Sequence, residues 1–337
     1  MSSPAPVSLP GRWASPLSVA RRTRTLGGYL IALIGILFLN FILLRLLPGD
    51  IRTVIGAEVM TRVPQSAAGS PGAPSLTAFF HYLLRILEGD WGTSYFFHRP
   101  VLHVIFRFLP WSLVLGLLSL AAALLLGVVL GVEAAARPGG MLDRAATIGA
   151  VVFLSLPGYL LGILLLVLFA IVLPLFPLSG GVRPFTPAGT VAFFVNYLRH
   201  LILPWLTLTL LMFPEYYLLV RGGMDLSLRR PFILTARGKG LRERVIRYRH
   251  AARDTLLPVL TRAGIQMGQL MTGLVFVEVV FAYPGVGTLA FESIQRRDIL
   301  LMDGILLISA VWIVLMNLAA DLLLKRLDPR VREEAGR

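Results

Sequence analysis

The chain of 337 residues contains no cysteine and few charged residues. Without cysteine it can form no disulfide, thiolate nucleophile or cysteine-ligated metal site of its own. Charged residues make up 15% of the chain, against about 25% in a soluble domain. So few charges cannot cover a globular surface, and 56% of the residues are hydrophobic. The composition therefore indicates that lipid is the solvent for much of the chain.

Long apolar runs account for this composition. A helix of about 20 apolar residues crosses a bilayer, and six runs are close to that length: 26–47, 110–135, 145–176, 200–220, 258–282 and 301–324. We therefore predict an all-α integral membrane protein with about six transmembrane helices. The run 145–176 is longer than one crossing needs, so we expect tilting or a re-entrant end. The first run exceeds the apolar core of a signal peptide, which favours an uncleaved span.

The basic residues orient these spans. The stretches 1–26, 134–147, 221–257 and 325–337 contain 21 of the 32 Lys and Arg residues, whereas 48–109, 174–203 and 282–301 contain 9. Basic residues concentrate on the cytoplasmic side, so both termini are predicted to be cytoplasmic. The net charge of +14 then reflects topology and contact with anionic membrane lipids, and requires no nucleic acid.

This orientation divides the chain into a membrane domain and two tails. We predict a disordered cytoplasmic tail at 1–25, a transmembrane domain at 26–326 and a cytoplasmic tail at 327–337. Within the domain, 48–109 is extracytoplasmic. Apolar residues recur in it at helical spacing and predict a short amphipathic helix: Leu76, Phe79, Phe80, Leu83, Leu84 and Leu87.

The cytoplasmic loop 221–257 has a helical pattern of its own. Leu234, Leu241, Val245 and Tyr248 form one stripe at helical spacing, and arginines occupy much of the rest. Gly238 and Gly240 interrupt the pattern, which favours a helix–turn–helix pair over one rod. Two interpretations stand side by side: a basic helix lying on anionic lipid, or a docking element for a soluble cytoplasmic partner.

Six short motifs follow one another along the chain. They are 45–50 (RLLPGD), 89–95 (GDWGTSY), 235–241 (TARGKGL) with His250 and 257–258 (LP), 278–289 (EVVFAYPGVGTL), 297–298 (RD) and 327–330 (LDPR). In order and spacing they resemble the permeases of binding-protein-dependent ABC importers of the dipeptide, oligopeptide and nickel type. The resemblance extends over about residues 27–332, and it is to the first permease subunit of the pair.

The resemblance implies a fold, a location and partners. The fold is that of a type I ABC importer permease, multi-pass in the bacterial cytoplasmic (inner) membrane, with a cytoplasmic coupling helix. The implied partners are a second permease subunit, two ATPase subunits and an extracytoplasmic substrate-binding protein. ATP is bound by the partner subunits, so no cofactor is expected on this chain.

The resemblance also assigns residues. It implies an ATPase-coupling role for Thr235, Ala236, Arg237, Gly240, Leu241, His250 and Pro258. Leu241 is expected to pack into the ATPase groove, and Pro258 to begin the next span. The first extracytoplasmic motif contributes Gly89, Asp90, Gly92 and Ser94.

No pattern indicates catalysis or a metal. Gly238-Lys239 is not a phosphate-binding loop, because the glycine required five residues before Gly238 is replaced by Ile233. The histidines show no metal-ligand spacing apart from His98 and His103, which align poorly on a helix. We therefore expect no catalytic residue and no ATP hydrolysis by this chain.

The substrate path has tentative candidates in the fifth span. Glu278 is a carboxylate near the outer mouth, and the hypothesis is that it gates the path or receives a charged amino end of the substrate. Gly264 and Gly268, with Gly273 beyond, form a small-residue face that favours close helix packing. A path-lining role for Gly268, Met271 and Gly273 is the alternative.

The predicted function is that of a permease subunit, without enzymatic activity, in an ATP-driven importer of peptides. Nickel chelates or another small solute of the same transporter class, glutathione and antimicrobial peptides remain open as substrates. A secondary transporter and an integral membrane enzyme are remoter alternatives. The first would show internal repeats and the second a cluster of polar catalytic groups, and the sequence has neither.

Overall fold

The computed structural model describes residues 20–46, 76–183, 187 and 189–327. The C-terminal tail, the LDPR motif beyond Leu327 and most of the first tail therefore lie outside the described residues. Helices form the regular structure of the described residues, apart from an isolated β-bridge between Thr93 and Pro100. The all-α prediction is confirmed.

The helices are numbered in chain order. They are α1 (Ala20–Leu46), α2 (Leu76–Leu87), α3 (Val101–Ala136), α4 (Met141–Ser155), α5 (Gly158–Leu166), α6 (Val191–Leu228), α7 (Pro231–Gly238), α8 (Glu243–Val245), α9 (Ala252–Gly273), α10 (Val275–Val280), α11 (Val286–Gln295) and α12 (Ile299–Leu327). A π-helical segment, Val167–Val172, continues α5, and a second, Ile246–Ala251, joins α8 to α9.

Four helical stretches among the described residues are long and apolar enough to cross a bilayer. They are α3, α6, α12 and the continuous run from Glu243 to Val280. The pair α4 and α5 gives a fifth if it counts as one span, and α1 contributes a shorter apolar stretch, Gly27–Ile42. The prediction of about six membrane helices is compatible with this set.

The break between α4 and α5 falls inside the run that is too long for one crossing. The chain bends by 108° between α4 and the helical run Gly158–Val172. Pro157 lacks a backbone N–H and disfavours helical geometry in the residue before it. Leu156 is accordingly extended, with φ −87° and ψ 130°. The excess length is therefore used for a sharp bend.

The core of the bundle is the contact between α3 and α6. Gly127 and Gly131 lie four residues apart on one face of α3. A Cβ atom at Gly127 would lie 2.5 Å from the Cβ of Tyr216, and one at Gly131 would lie 2.8 Å from the Cβ of Val220. Only glycine lets the two backbones approach this closely, as is typical of membrane helix pairs.

A buried polar group joins α1 and α2 to α12. The amide of Asn40 donates to the carboxylate of Asp303 and, at 3.3 Å, to the hydroxyl of Tyr82. Polar groups enclosed in apolar surroundings are stable only with hydrogen-bond partners, so this contact specifies where the first helix packs.

The helix contact at Gly131 gives a first prediction. Gly131→Val should lower the free energy of unfolding by about 1–3 kcal/mol, because the added methyl groups overpack the contact with Val220. Thermal unfolding of the purified protein in detergent measures the change. Gly149→Val is the matched control, since a Cβ there meets nothing within 4 Å. Equal unfolding temperatures for the two variants would contradict the role of this contact.

Candidate functional site

The loop between α6 and α9 folds as two short helices joined by a turn. Pro231 occupies the first turn of α7, where its missing N–H costs nothing. Gly240 has a φ of +70°, a conformation that side-chain-bearing residues rarely adopt. Its N–H donates to the carbonyl of Arg237 at 2.9 Å. The predicted helix–turn–helix geometry is confirmed.

The apolar residues of this segment point in two directions. Ile233, Ala236 and Ile246 are buried against the helical bundle. Leu234 and Leu241 instead face outward, with 66% and 39% of their surface exposed. The stripe expected from helical spacing therefore does not form one packed face, because the turn at Gly240 breaks the helix that the spacing assumed.

Ion pairs fix the segment from several sides. Arg237 bonds Glu243 across the turn at 2.9 Å, and Arg230 bonds Asp254 at the start of α9 at 2.9 Å. Pairs as exposed as these contribute little energy each. Together they define the orientation of α7 relative to α9.

A third contact joins the segment to the end of α3. Glu133 accepts hydrogen bonds from Arg247 and from the hydroxyl of Tyr248, both at 2.9 Å. Sequence reasoning missed this role of Glu133, because Glu133 lies more than a hundred positions before Arg247 and Tyr248. The segment is thereby tied to a membrane helix that does not adjoin it in sequence.

The remaining predicted coupling residues are placed as follows. Thr235 is exposed on α7, and His250 is half-buried in the π-helical segment. Pro258 lies inside α9, which begins at Ala252. The helix therefore starts six residues before the proline, and the start of the membrane span at Pro258 stays a prediction.

The motif 89–95 forms a compact junction with the start of α12. Gly89 and Gly92 have φ values of +81° and +79°, and Asp90 accepts from the N–H of Gly92 at 3.2 Å. The hydroxyl of Ser94 donates to Asp298 at 2.5 Å. Two motifs separate in sequence thus meet in the fold.

Asp298 is the centre of this junction. Its buried carboxylate also accepts from the N–H of Leu301, three residues into α12, at 3.2 Å, which is the geometry of a helix N-cap. Burial and the nearby carboxylate raise the pKa of Tyr95 to about 12.

Glu278 is enclosed by its own chain. Its side chain is fully buried, and its carboxylate accepts from the hydroxyl of Ser112 at 2.6 Å and from the N–H groups of Gly287 and Thr288 at 2.7 and 3.3 Å. These N–H groups belong to the first turn of α11, where a negative charge is favourable. A Cβ at Gly285 would lie 2.2 Å from the carboxylate, so glycine leaves room for the acid.

This geometry does not fit the hypothesis that Glu278 receives the substrate. A carboxylate with no exposed surface and three hydrogen-bond donors of its own cannot bind an ammonium group without unfolding the start of α11. Its observed role is to fasten α11 to α3.

The tentative path residues of α9 lie on different faces. Gly268 packs against α12, where a Cβ would lie 2.9 Å from the side-chain oxygen of Asn317, and Met271 is buried. Gly273 is exposed, with nothing within 4 Å of a Cβ. Close packing explains Gly268 and Met271, and only Gly273 keeps an open position.

The fold is that of an importer permease. In a comparison with solved structures, the inward-facing methionine ABC transporter MetNI matches with a TM-score of 0.54 and 16% identity, over 67% of this chain and 97% of the MetNI chain. A likeness at this identity concerns the fold alone.

Sequence relatives give the family. Residues 123–333 match the family model described as binding-protein-dependent transport system inner membrane component, and the chain belongs to this family. It is 33% identical to the glutathione transport system permease protein GsiC of Pectobacterium atrosepticum, over 90% of this chain and 96% of the relative. It is 31% identical to the oligopeptide transport system permease protein AppB of Bacillus subtilis, over 89% and 95%. Membership decides against a secondary transporter and a membrane enzyme.

The junction at Asp298 gives a second prediction. Asp298→Asn should lower the free energy of unfolding by about 1–3 kcal/mol, because hydrogen bonds to a buried charge are lost or weakened. The matched control is Asp225→Asn, which removes an exposed pair with Arg229 and should change stability by less than about 1 kcal/mol. Thermal unfolding in detergent compares them. Similar losses in both variants would show that the junction is not a structural centre.

Proposed function

We propose that this chain is one of two permease subunits in an ATP-driven peptide importer, and that α7 with its following turn docks on an ATPase subunit. The observation that carries the proposal is the pair Leu234 and Leu241. These apolar side chains face outward from a segment that ion pairs hold on three sides. Exposed apolar residues on a segment held in place by ion pairs are typical of a protein–protein contact.

Lipid is the competing occupant of this surface. A helix lying on lipid would present a continuous apolar face to the bilayer. In α7 the apolar residues divide instead: Ile233 and Ala236 are buried against the protein, and Phe232 and Leu234 are exposed. Thr235 and Arg237 separate Leu234 from Leu241. The geometry therefore favours a small protein groove over a membrane surface.

The same ion pairs connect α7 to the membrane helices. A displacement of α7 by the ATPase subunit would be transmitted to α9 through Arg230 and Asp254. It would be transmitted to α3 through Arg247, Tyr248 and Glu133. Both are membrane helices, so closure of two ATPase subunits would move spans of the permease against each other. In this assignment the 229–251 segment and both termini are cytoplasmic.

Peptides are the proposed substrates because of the relatives. Their names record glutathione, oligopeptide and di- or tripeptide transport, and each aligns over most of this chain. The junction around Asp298 lies toward the opposite side of the membrane from α7, where an extracytoplasmic binding protein would deliver its load.

Reconstitution tests the function as a whole. Proteoliposomes containing this chain, its second permease and the ATPase subunits should take up trialanine or glutathione only when ATP and the binding protein are both supplied. Controls replace ATP by ADP, or omit the binding protein. Uptake that continues without ATP would refute the assignment.

The docking surface gives a further prediction. Leu241→Gln should weaken association with the ATPase subunits by about 2 kcal/mol, or about thirtyfold, because a central apolar contact is lost. Co-purification and peptide-stimulated ATP hydrolysis measure the effect. Met141→Gln is the matched control: Met141 is 91% exposed and lies in another connection on the same side. Unchanged association in the Leu241 variant would place the docking surface elsewhere.

A further inference from the structure

One open face of α9, which continues into α10, carries four polar side chains. At 100° per residue, seven residues of this face fall within an arc of about 120°. They are exposed or half-exposed in the structure, and they are Arg262, Ile265, Gln266, Gln269, Thr272, Gly273 and Phe276. The opposite face carries the buried residues that pack against α12 and α6.

Lipid is a poor occupant for this face. Charged and amide groups in hydrocarbon are costly, and in membrane helices they face the protein interior or water. The central part of α3, residues 111–130, shows what a lipid-facing surface of this chain looks like, since its exposed positions are all apolar, among them Leu117, Leu118, Leu125 and Val129. The open face of α9 differs, because Arg262, Gln266, Gln269 and Thr272 lie on it beside Ile265 and Phe276.

An ion pair lies on the same open side. The guanidinium of Arg262 donates to the carboxylate of Glu215 on α6 at 2.7 Å. Arg262 lies four residues after the start of the predicted span 258–282, and Glu215 lies five residues before the end of the predicted span 200–220, so the pair lies about 6–8 Å inside the cytoplasmic end of both spans. Nevertheless 33% of the Arg262 side chain and 38% of the Glu215 side chain are exposed.

The contrast with Glu278 is informative. That carboxylate is fully enclosed and bonded on both oxygens, as expected of a group with a structural role. The pair of Arg262 and Glu215 keeps surface free for other partners near the cytoplasmic end of the two spans. A charge pair of both signs, open to the polar side of a transport helix, suits a solute that itself carries both charges.

We propose that this face of α9 lines the solute path, and that Arg262 and Glu215 bind the free carboxylate and the free ammonium group of a short zwitterionic peptide. The inference rests on the proposed import function. The ends of a di- or tripeptide are about 7–11 Å apart in the extended chain, so the peptide separates the two side chains and satisfies each with an opposite charge.

Accessibility tests the path. Because the chain has no cysteine, single cysteines can be placed without background from this subunit. In the assembled transporter in proteoliposomes, Gln269→Cys should react with a charged, membrane-impermeant methanethiosulfonate, and trialanine-loaded binding protein with ATP should change the rate. Met271→Cys on the packed face and Leu125→Cys on the lipid face are matched controls and should not react. An unreactive Gln269→Cys in the ATP-bound and the nucleotide-free transporter would overturn the proposal, and would assign the face to lipid or to the second permease.

Selectivity tests the charged pair. Uptake of trialanine is compared with that of its C-terminal amide and its N-acetyl form, with the binding protein saturated. Arg262→Gln should reduce the preference for the free carboxylate about tenfold, and Glu215→Gln the preference for the free amino group. If the pair were only structural, both variants would lower uptake of all three peptides equally, which would overturn the proposal. Absence of ATP-dependent uptake by the unaltered transporter would instead refute the import function.

Discussion

The close approach of α3 and α6 at Gly127 and Gly131 is the constraint on which the other contacts depend. It fixes α3, and α3 carries two anchors: Ser112, a third of the way along the helix, bonds Glu278, and Glu133, near its end, bonds Arg247 and Tyr248. These anchors are 21 residues apart, or about 30 Å along the helix, which is the thickness of the hydrocarbon core. One helix therefore connects the proposed docking segment with the start of α11 on the other side.

Four acidic residues of the described chain fall into two environments. Glu278 and Asp298 are enclosed and saturated with backbone and hydroxyl donors at the beginnings of α11 and α12. Glu133 and Glu215 are paired with arginines and remain partly exposed. Enclosed carboxylates with short donors hold the fold in one arrangement, whereas open pairs can exchange partners. The starts of α11 and α12 are therefore expected to keep one arrangement, whereas the contacts of Glu133 and Glu215 can change when a partner or solute binds.

Much of the architecture could be predicted from the sequence. Apolar run length gave the membrane helices, because the bilayer sets one length for all of them. The paired glycines at 238 and 240 gave the turn between α7 and α8, because backbone freedom is a local property. Pro157 marks the bend between α4 and α5 for the same reason, although the sequence alone indicated only an excess of length.

The long-range pairings could not be predicted. Ser94 and Asp298 are 204 residues apart, and nothing in either motif names the other as its partner. Glu278 looked like a functional acid because a carboxylate in an apolar run is costly, but the same cost is met equally well by internal donors. The glycines at 127 and 131 were a usable signal that was overlooked, since their spacing matches that of Gly264 and Gly268. Local periodicity describes a helix face, and it does not say what covers that face.

The π-helical segment Ile246–Ala251 has a consequence for the length of the chain. It lies between the docking segment and α9, and its wider turn sets the angular phase of everything that follows. Adding or deleting one residue there would turn α9 by about 100°, so that Gln269 would leave the open face and Gly264 and Gly268 would leave their contact with α12. Most connections on a protein surface tolerate such changes. The length of this segment, in contrast, fixes which face of α9 is open. Its number of residues therefore matters as much to the proposed mechanism as its side chains do.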